Sequence, residues 1–342
     1  MSLIGHRLPW PLVLQVLGVA AAAALIVATW QVWMLLFVAL ILAAAILPAA
    51  RLGQRYRVPR GLTVLAVYVV VAAVFTLMGR LLWPALTEQW QQFIDQLPRL
   101  VDNVKGWLGD VQYFFGRWGA SLSAPKAADH VQSLAGALFD NALRVTTGAV
   151  GAAFEVLAVL VVAAYLVIDA REIGHTLLAL LPREHRATAT RLAPAVLDRI
   201  GGYVRGQLVS SFFVGVLIAA ALSLLGVKYA LLIGALAAVL NIVPFVGAAV
   251  AAVLATLSAL NESLVLAAAA LAVMVGCQTV EGKLLAPYFV GRATVLHALA
   301  VLLALLAGFH LAGLVGGLVA VPLLAGLWEI VRTLWVDPRR EA

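Results

Sequence analysis

The sequence predicts an all-α polytopic membrane protein. Of its 342 residues, 64% are hydrophobic and only 11% are charged, whereas soluble domains contain about 25% charged residues. Apolar runs long enough to cross the hydrocarbon core of a bilayer recur along the chain. About eight such segments can be counted, two of them overlong and interrupted. A β-barrel would show short alternating segments instead.

The net charge of +7 is carried by basic residues in the loops between the apolar runs. Such residues set the orientation of a membrane protein and attract anionic lipid. We therefore expect anionic membrane lipid, and not nucleic acid, to be the partner of this charge. The single cysteine, Cys277, lies in an apolar run and cannot form an internal disulfide, so we interpret it as a small buried hydrophobic residue.

Three apolar runs predict an N-terminal membrane region over residues 1–83, namely 12–29, 31–48 and 61–83. Residues 51–60 (RLGQRYRVPR) join the second run to the third and contain four Arg and no acidic residue. A short basic loop of this kind faces the cytoplasm, which also places the N-terminus there. The third span is expected to end at Trp83 and Pro84.

Residues 84–147 differ in kind, because they alternate between polar and apolar side chains. Apolar residues recur at steps of three and four, which indicates an amphipathic helix: Trp83, Leu86, Trp90, Phe93 and Leu97. Acidic and basic residues roughly balance in this segment. One crossing away from residues 51–60, it is expected to be an extracytoplasmic helical region that packs on itself, on the membrane surface or on a neighbouring subunit.

Residues 148–342 are expected to form a C-terminal membrane and transport region. A fourth span is predicted at 149–168, followed by an Arg-rich segment that contains Pro182 and Pro194. These prolines predict breaks between short cytoplasmic helices at about 171–202. Further spans are predicted at 203–225 and at 263–286.

Two uncharged stretches, 230–260 and 297–331, are too long for a simple span. The first would measure about 46 Å as a straight helix, against a hydrocarbon core of about 30 Å. Two topologies fit: each stretch is one tilted span, or each is a re-entrant hairpin broken at its middle. The C-terminus is cytoplasmic in both. The hairpin form also places Lys283 and Arg292 inside, and the basic-loop rule favours it.

The helix breakers in these stretches form the first candidate site. Asn241, Pro244 and Gly247 interrupt the first stretch, and Gly313 and Gly317 lie in the middle of the second. A helix break in a membrane persists only where it is buried in protein or lines a wet cavity. Paired breaks of this kind indicate a transport site near the midplane. The alternative is a simple proline kink that lets helices pack closely, with the glycines as a small-residue contact.

The second candidate site centres on Glu281, which follows a long uncharged run and shares a helix face with Gln278. An intramembrane carboxylate is costly, so such a residue tends to face a cavity and to carry function. It would titrate, bind a coupling cation or pair with a basic residue. Alternatively it lies at the end of the span and reaches the interface. His297 and His310 are candidates for a proton relay or for ordinary packing residues.

At these residues the chain resembles the autoinducer-2 exporter family of bacterial permeases. The matching segments are VPFVG (243–247), EGKLLAPYFVG (281–291), GFHLAGLVGGLVAVPLLAGL (308–327) and YVRGQL (203–208). The resemblance adds Pro287 and Gly291 to the site: Asn241, Pro244, Gly247, Gln278, Glu281, Pro287 and Gly291. Lys283 departs from the pattern, since a small polar residue such as Asn is expected there.

The resemblance implies a gradient-driven exporter of a small polar signal or related solute, in an inner-membrane homo-oligomer such as a pentamer. Some members of the family are described as sodium–proton antiporters, so a cation–proton antiporter is the alternative function. A membrane scaffold that does not transport is a second alternative. An enzyme is not expected, because no metalloprotease, serine-hydrolase or nucleotide-binding motif is found, and no cofactor is implied.

Overall fold

The computed structural model describes residues 10–116, 149–291 and 296–337. Over these ranges the chain forms ten α-helices: α1 Trp10–Ala28, α2 Trp30–Arg55, α3 Arg60–Gly116, α4 Ala149–Ile168, α5 Ala170–Leu180, α6 Arg183–Leu224, α7 Ala230–Leu240, α8 Val246–Leu260, α9 Leu264–Val280 and α10 Ala298–Val331. A π-helical segment, Glu281–Val290, continues α9, and a shorter one, Arg332–Val336, continues α10.

The helices confirm the predicted all-α polytopic membrane fold. In the described ranges, five helices are long and apolar enough to cross a membrane: Trp30–Arg55, Arg60–Gln96, Arg183–Leu224, Leu264–Val290 and Ala298–Val336. A sixth crossing results if α4 and α5, which are bent by 75° relative to each other, count as one broken span. Large apolar side chains such as Phe75 and Leu224 are exposed on these helices, as a surface in contact with lipid requires.

Two helices continue through prolines that the sequence analysis used as boundaries, and the break predicted at Pro194 is wrong. Helix α3 does not stop at Trp83 and Pro84 but runs on to Gly116, so the third span and the start of the amphipathic segment form one helix. Helix α6 likewise contains Pro194, where a break was predicted. Both prolines lie on outer, incompletely buried faces, where the loss of one backbone hydrogen bond is tolerated. Pro182 does separate two helices, α5 and α6.

Helix α6 is the centre of the described fold, and its glycines let neighbouring elements approach closely. A Cβ atom at Gly201 would overlap the Ala44 carbonyl oxygen of α2. One at Gly206 would lie 2.5 Å from the Phe289 carbonyl oxygen of the π-helical segment. Small residues at helix contacts allow such close packing in membranes.

The contact between α2 and α6 also provides a hydrogen-bond donor for backbone carbonyl groups near a proline. Pro48 lies inside α2 and leaves the carbonyl of Ala44 without its helical donor. Arg205 of α6 donates from Nη1 to the carbonyl oxygens of Ala44 (3.4 Å) and Ala45 (3.0 Å). The guanidinium group thus satisfies acceptors that lipid could not.

The first overlong stretch is a helical hairpin, because its two ends meet. Ser258, near the end of α8, donates from Oγ to the Lys228 carbonyl oxygen at 3.1 Å, just before α7. The Lys228 ammonium group also forms an ion pair with Glu262. A straight helix over this stretch would separate the same residues by about 45 Å. The fold-back, and not the single tilted span, is therefore the observed form.

The second overlong stretch folds back in the same way. The backbone leaves the helical conformation at Ala312 and Gly313, where Gly313 adopts a left-handed φ of 55°. A Cβ at Gly308 would overlap the backbone of Gly316 and lie 2.9 Å from the Cβ of Ala320. Residues twelve positions apart in one straight helix would be about 18 Å apart, so the two arms of α10 pack against each other.

The part of α3 that follows Pro84 docks on the ends of the first hairpin. Phe93 packs edge-on against Tyr229 with ring centroids 5.6 Å apart. Gln89 accepts a hydrogen bond through Oε1 from the Leu232 backbone N–H at 2.9 Å. Leu86 and Trp90 of the predicted stripe pack against the buried apolar cluster that contains Phe93 and Tyr229. The remainder of the predicted amphipathic region, 117–147, and Arg292 lie outside the described residues.

We expect Gly201→Ala to destabilise the protein by about 1–3 kcal/mol, because the added methyl group overpacks the contact between α2 and α6. Gly202→Ala is the matched control, since the nearest atom to its Cβ would be 4.0 Å away, in the Arg205 side chain. Thermal unfolding of both variants in the same detergent measures the difference. Equal melting temperatures would show that α2 does not approach α6 so closely.

Candidate functional site

The break in the first hairpin lies in the protein interior. The chain leaves the helical path between α7 and α8, over residues 241–245, and Asn241 is completely buried there. Gly247 is required at the start of α8, because a Cβ would lie 2.5 Å from the Asn241 backbone nitrogen. Phe245 adopts a left-handed conformation with φ of 70°, which costs a non-glycine residue roughly 1 kcal/mol or more.

Local turns and one side chain form hydrogen bonds with the backbone groups of the break. Pro244 cannot donate to the Leu240 carbonyl, and this oxygen instead accepts from the Val243 backbone N–H at 3.1 Å. The Asn241 carbonyl oxygen accepts a hydrogen bond of 2.7 Å from Nε2 of Gln207 on α6. A buried carbonyl left without a donor would cost about 1–3 kcal/mol. The hydrogen bond from Gln207 therefore stabilises the non-helical conformation of the break.

The Asn241 side chain joins the two predicted sites. Its amide nitrogen Nδ2 donates to Oε1 of Glu281 at 2.7 Å. Glu281 is 8% exposed and stands where α9 passes into the π-helical segment, a geometry often found at functional sites. The Gln278 side chain, three residues earlier, also interacts with this carboxylate. The structure therefore brings Asn241, Gly247, Gln278 and Glu281 together.

No basic side chain among the described residues neutralises Glu281. None of the observed ion pairs includes it, and Lys283 is exposed. The second carboxylate oxygen, Oε2, and the Asn241 oxygen Oδ1 are buried without a hydrogen-bond partner among those residues. An isolated buried carboxylate is neutralised by a proton or by a cation, so Glu281 is a candidate group for binding either one.

A polar stripe on α6 includes Gln207, the residue that is hydrogen-bonded to the break. The sequence analysis did not identify this stripe. Tyr203, Gln207, Ser210 and Ser211 are all buried and follow one another at helical spacing. The Tyr203 hydroxyl and Ser211 Oγ have no hydrogen-bond partner in the described part of the chain. The signal was present, since polar residues at i, i+4, i+7 and i+8 in an apolar helix mark a single face.

A groove of about 190 Å³ reaches this region from the side of α2. Its walls come from α2, α6, the break and the second arm of α10, and Gln207 and Ile242 line it where it meets the break. Apolar walls with a few polar groups are typical of small-molecule sites. The groove therefore provides space next to the polar network without exposing Glu281 directly.

The second hairpin meets the first through an apolar cluster. The buried members of this cluster come from α6, the break, the π-helical segment and both arms of α10: Tyr203, Val243, Val290, Leu305 and Val321. Gly317 contributes by packing against the ring of Phe309, which a Cβ would meet at 2.7 Å. Gly313 forms the tip of the second hairpin. Both hairpins therefore converge on the π-helical segment.

Four predicted site residues lie away from the polar network. His297 caps the N-terminus of α10, where Nδ1 accepts from the Leu299 backbone N–H at 3.2 Å. His310 is exposed, as is Pro287 of the π-helical segment. Gly291 ends that segment with a φ of 55°. A relay through the two histidines has no connection to Glu281 in this geometry.

We expect Glu281→Leu to be less stable than Glu281→Gln by about 1–3 kcal/mol, because leucine leaves the buried Asn241 amide without an acceptor. Glutamine keeps an oxygen where Oε1 lies, and Glu281→Gln should be at least as stable as the wild type. Thermal unfolding in one detergent compares the three proteins. Equal stability of the leucine and glutamine variants would contradict the hydrogen bond to Asn241.

Comparison with known proteins finds relatives along most of this chain. YrrI of Bacillus subtilis (strain 168) is 29% identical over 312 residues, 87% of this chain and 86% of that protein. MT0215 of Mycobacterium tuberculosis (strain CDC 1551 / Oshkosh) is 30% identical over 278 residues, 79% of this chain and 74% of that protein. The AI-2 transport protein TqsA of Escherichia coli (strain K12) is 26% identical over 318 residues, 91% of this chain and 87% of TqsA.

The family model for AI-2E family transporters matches residues 13–335, which is nearly the whole chain. The match covers the two hairpins, the π-helical segment and the network around Glu281. The multi-pass helical fold with broken helices described above also occurs in membrane transporters. This chain belongs to the AI-2E family of membrane transporters.

Proposed function

We propose that this transporter exports a small polar solute, of the autoinducer-2 type or a related one, and is driven by an ion gradient. The single observation that carries the proposal is the buried hydrogen bond of 2.7 Å between Asn241 and Glu281. Glu281, which has no basic partner in the described part of the chain, thereby lies against a helix break within the membrane region. The name of the relative TqsA, an AI-2 transport protein, supports the choice of solute.

Glu281 would be the group that couples transport to the gradient. In its charged form the carboxylate needs donors, which the hydroxyl groups of a polar solute supply. When it binds a proton or cation, that need falls and the solute is released. Asn241 would bind the same solute through Oδ1, which has no partner among the described residues. Buried polar groups that are left unpaired discriminate strongly against solutes without matching groups.

The driving force is expected to be a gradient because the sequence contains no nucleotide-binding loop. We place the protein in the inner membrane with both termini cytoplasmic, as the basic residues at 51–60 favour. We expect a homo-oligomer, with a pentamer as the form that the family resemblance implies. The non-transporting scaffold does not fit a member of this transporter family.

A cation–proton antiporter is the second candidate. It is favoured by the chemistry of the two unpaired atoms, Glu281 Oε2 and Asn241 Oδ1, because oxygen atoms are the ligands that hard cations prefer. In that case sodium and a proton would compete for the carboxylate, and no organic solute would be needed.

We expect Glu281→Gln to reduce transport to the level of vesicles without protein, because a glutamine cannot change its charge. The assay is the release of labelled autoinducer-2 from loaded proteoliposomes under an imposed pH gradient. Lys283→Gln is the control, because this substitution removes a charge from an exposed side chain that lies close in sequence to Glu281 but outside the network. Release by Glu281→Gln at the wild-type rate would remove the carboxylate from the mechanism.

A sodium gradient imposed on the same proteoliposomes separates the two candidates. The exporter proposal predicts no change of internal pH when sodium is the only gradient. A sodium-driven pH change in the wild type that is lost in Glu281→Gln would favour the antiporter. Incorporation of equal amounts of both proteins, checked by quantitative gel analysis, is the control.

A further inference from the structure

Helix α5 is amphipathic and leaves α4, the predicted fourth span, at an angle of 75°. Two of its three leucines are exposed, Leu177 by 59% and Leu180 by 78%. A helix that turns sharply from a membrane span lies near the plane of the membrane surface. Such a helix buries its apolar face in the boundary between headgroups and acyl chains.

Arginines from three elements meet beside this bend. Arg60, at the start of α3, donates from Nη1 to the carbonyl oxygens of Val167 (3.4 Å) and Ile168 (3.3 Å), the last residues of α4. Arg51 from α2 and Arg171 from α5 are both near enough to repel Arg60 electrostatically. The hydrogen bonds of Arg60 to the end of α4 and the place of Arg171 in the first turn of α5 put these two charges at the point where α4 bends into α5.

The acidic residues nearby do not cancel this charge. Asp198 pairs with Arg51 at 2.8 Å and removes one charge from the group. Asp169 and Glu172 flank the start of α5 in the sequence, but no ion pair joins either of them to Arg60 or Arg171 within the described ranges. A cluster of like charges without counter-ions is stabilised by an anion that binds it.

We propose that the arginine cluster (Arg51, Arg60 and Arg171) and the apolar face of α5 together bind an anionic phospholipid, with the headgroup phosphate at the arginines and the acyl chains along the leucines. Guanidinium groups match phosphate oxygens in pairs. Basic pockets between transmembrane helices are suited to anionic headgroups. The exposed Tyr56 in the adjoining turn is also typical of the interface.

The occupant is a lipid, and not a free phosphate, because the charged and apolar parts adjoin. The apolar face of α5 would remain in water if only inorganic phosphate occupied the arginines. A phospholipid covers both parts at once. Bound in this way, it would fix the angle between α4 and α5 and so the position of α6, which follows after Pro182.

Native mass spectrometry of the purified full-length protein tests the site by titration with phosphatidylglycerol and with phosphatidylcholine of the same acyl chains. We expect the wild type to bind phosphatidylglycerol about 25-fold more tightly, which is about fivefold for each of Arg60 and Arg171. Arg60→Gln/Arg171→Gln should lose about fivefold of this preference for each arginine. The matched control, Arg183→Gln/Arg191→Gln, removes two exposed charges from α6 and should keep the preference.

The single variant Arg171→Gln is a control for misfolding of the double variant. Its exposed side chain can be replaced without removing the hydrogen bonds of Arg60. It should lose about fivefold of the preference. Equal binding of the two lipids by the wild type would overturn the proposal. So would an equal loss in the control variant, or displacement of phosphatidylglycerol by an equal concentration of inorganic phosphate.

Discussion

A helix that is broken inside a membrane must find partners for its own backbone, and this constraint organises the described fold. The break at residues 241–245 meets it through a local turn and through Gln207 of α6. The break can exist only because α6, α9 and the π-helical segment surround it. The same constraint explains why Arg205 approaches the carbonyl that Pro48 frees in α2.

The partners that stabilise the break also create its chemistry. Asn241 is held in place by the hydrogen bond from Gln207, and its side chain is thereby directed to Glu281. A fixed amide next to a buried carboxylate forms a polar site whose charge depends on what binds there. The second hairpin packs beside this site through the apolar cluster around Val243 and Val290.

Much of this fold could be predicted from the sequence, because apolar runs and helix breakers report directly on the membrane. Asn241 and Glu281 were identified as candidates from their cost in a hydrocarbon environment, and their side chains form a hydrogen bond in the structure. The sequence favoured the hairpin over the tilted span but did not decide between them. The deciding contact joins Lys228 and Ser258, which lie thirty residues apart in the sequence. The break predicted at Pro194 failed because an exposed proline does not stop a helix that is held by tertiary packing.

Infrared difference spectroscopy on the purified transporter tests the central claim, that the solute binds at the contact between Asn241 and Glu281. The spectrum with autoinducer-2 minus the spectrum without it reports on carboxyl groups whose surroundings or protonation change. The account predicts a carboxyl band in the wild type that is missing in Glu281→Gln. The same difference spectrum in both proteins would contradict it, because the solute would then bind without affecting Glu281.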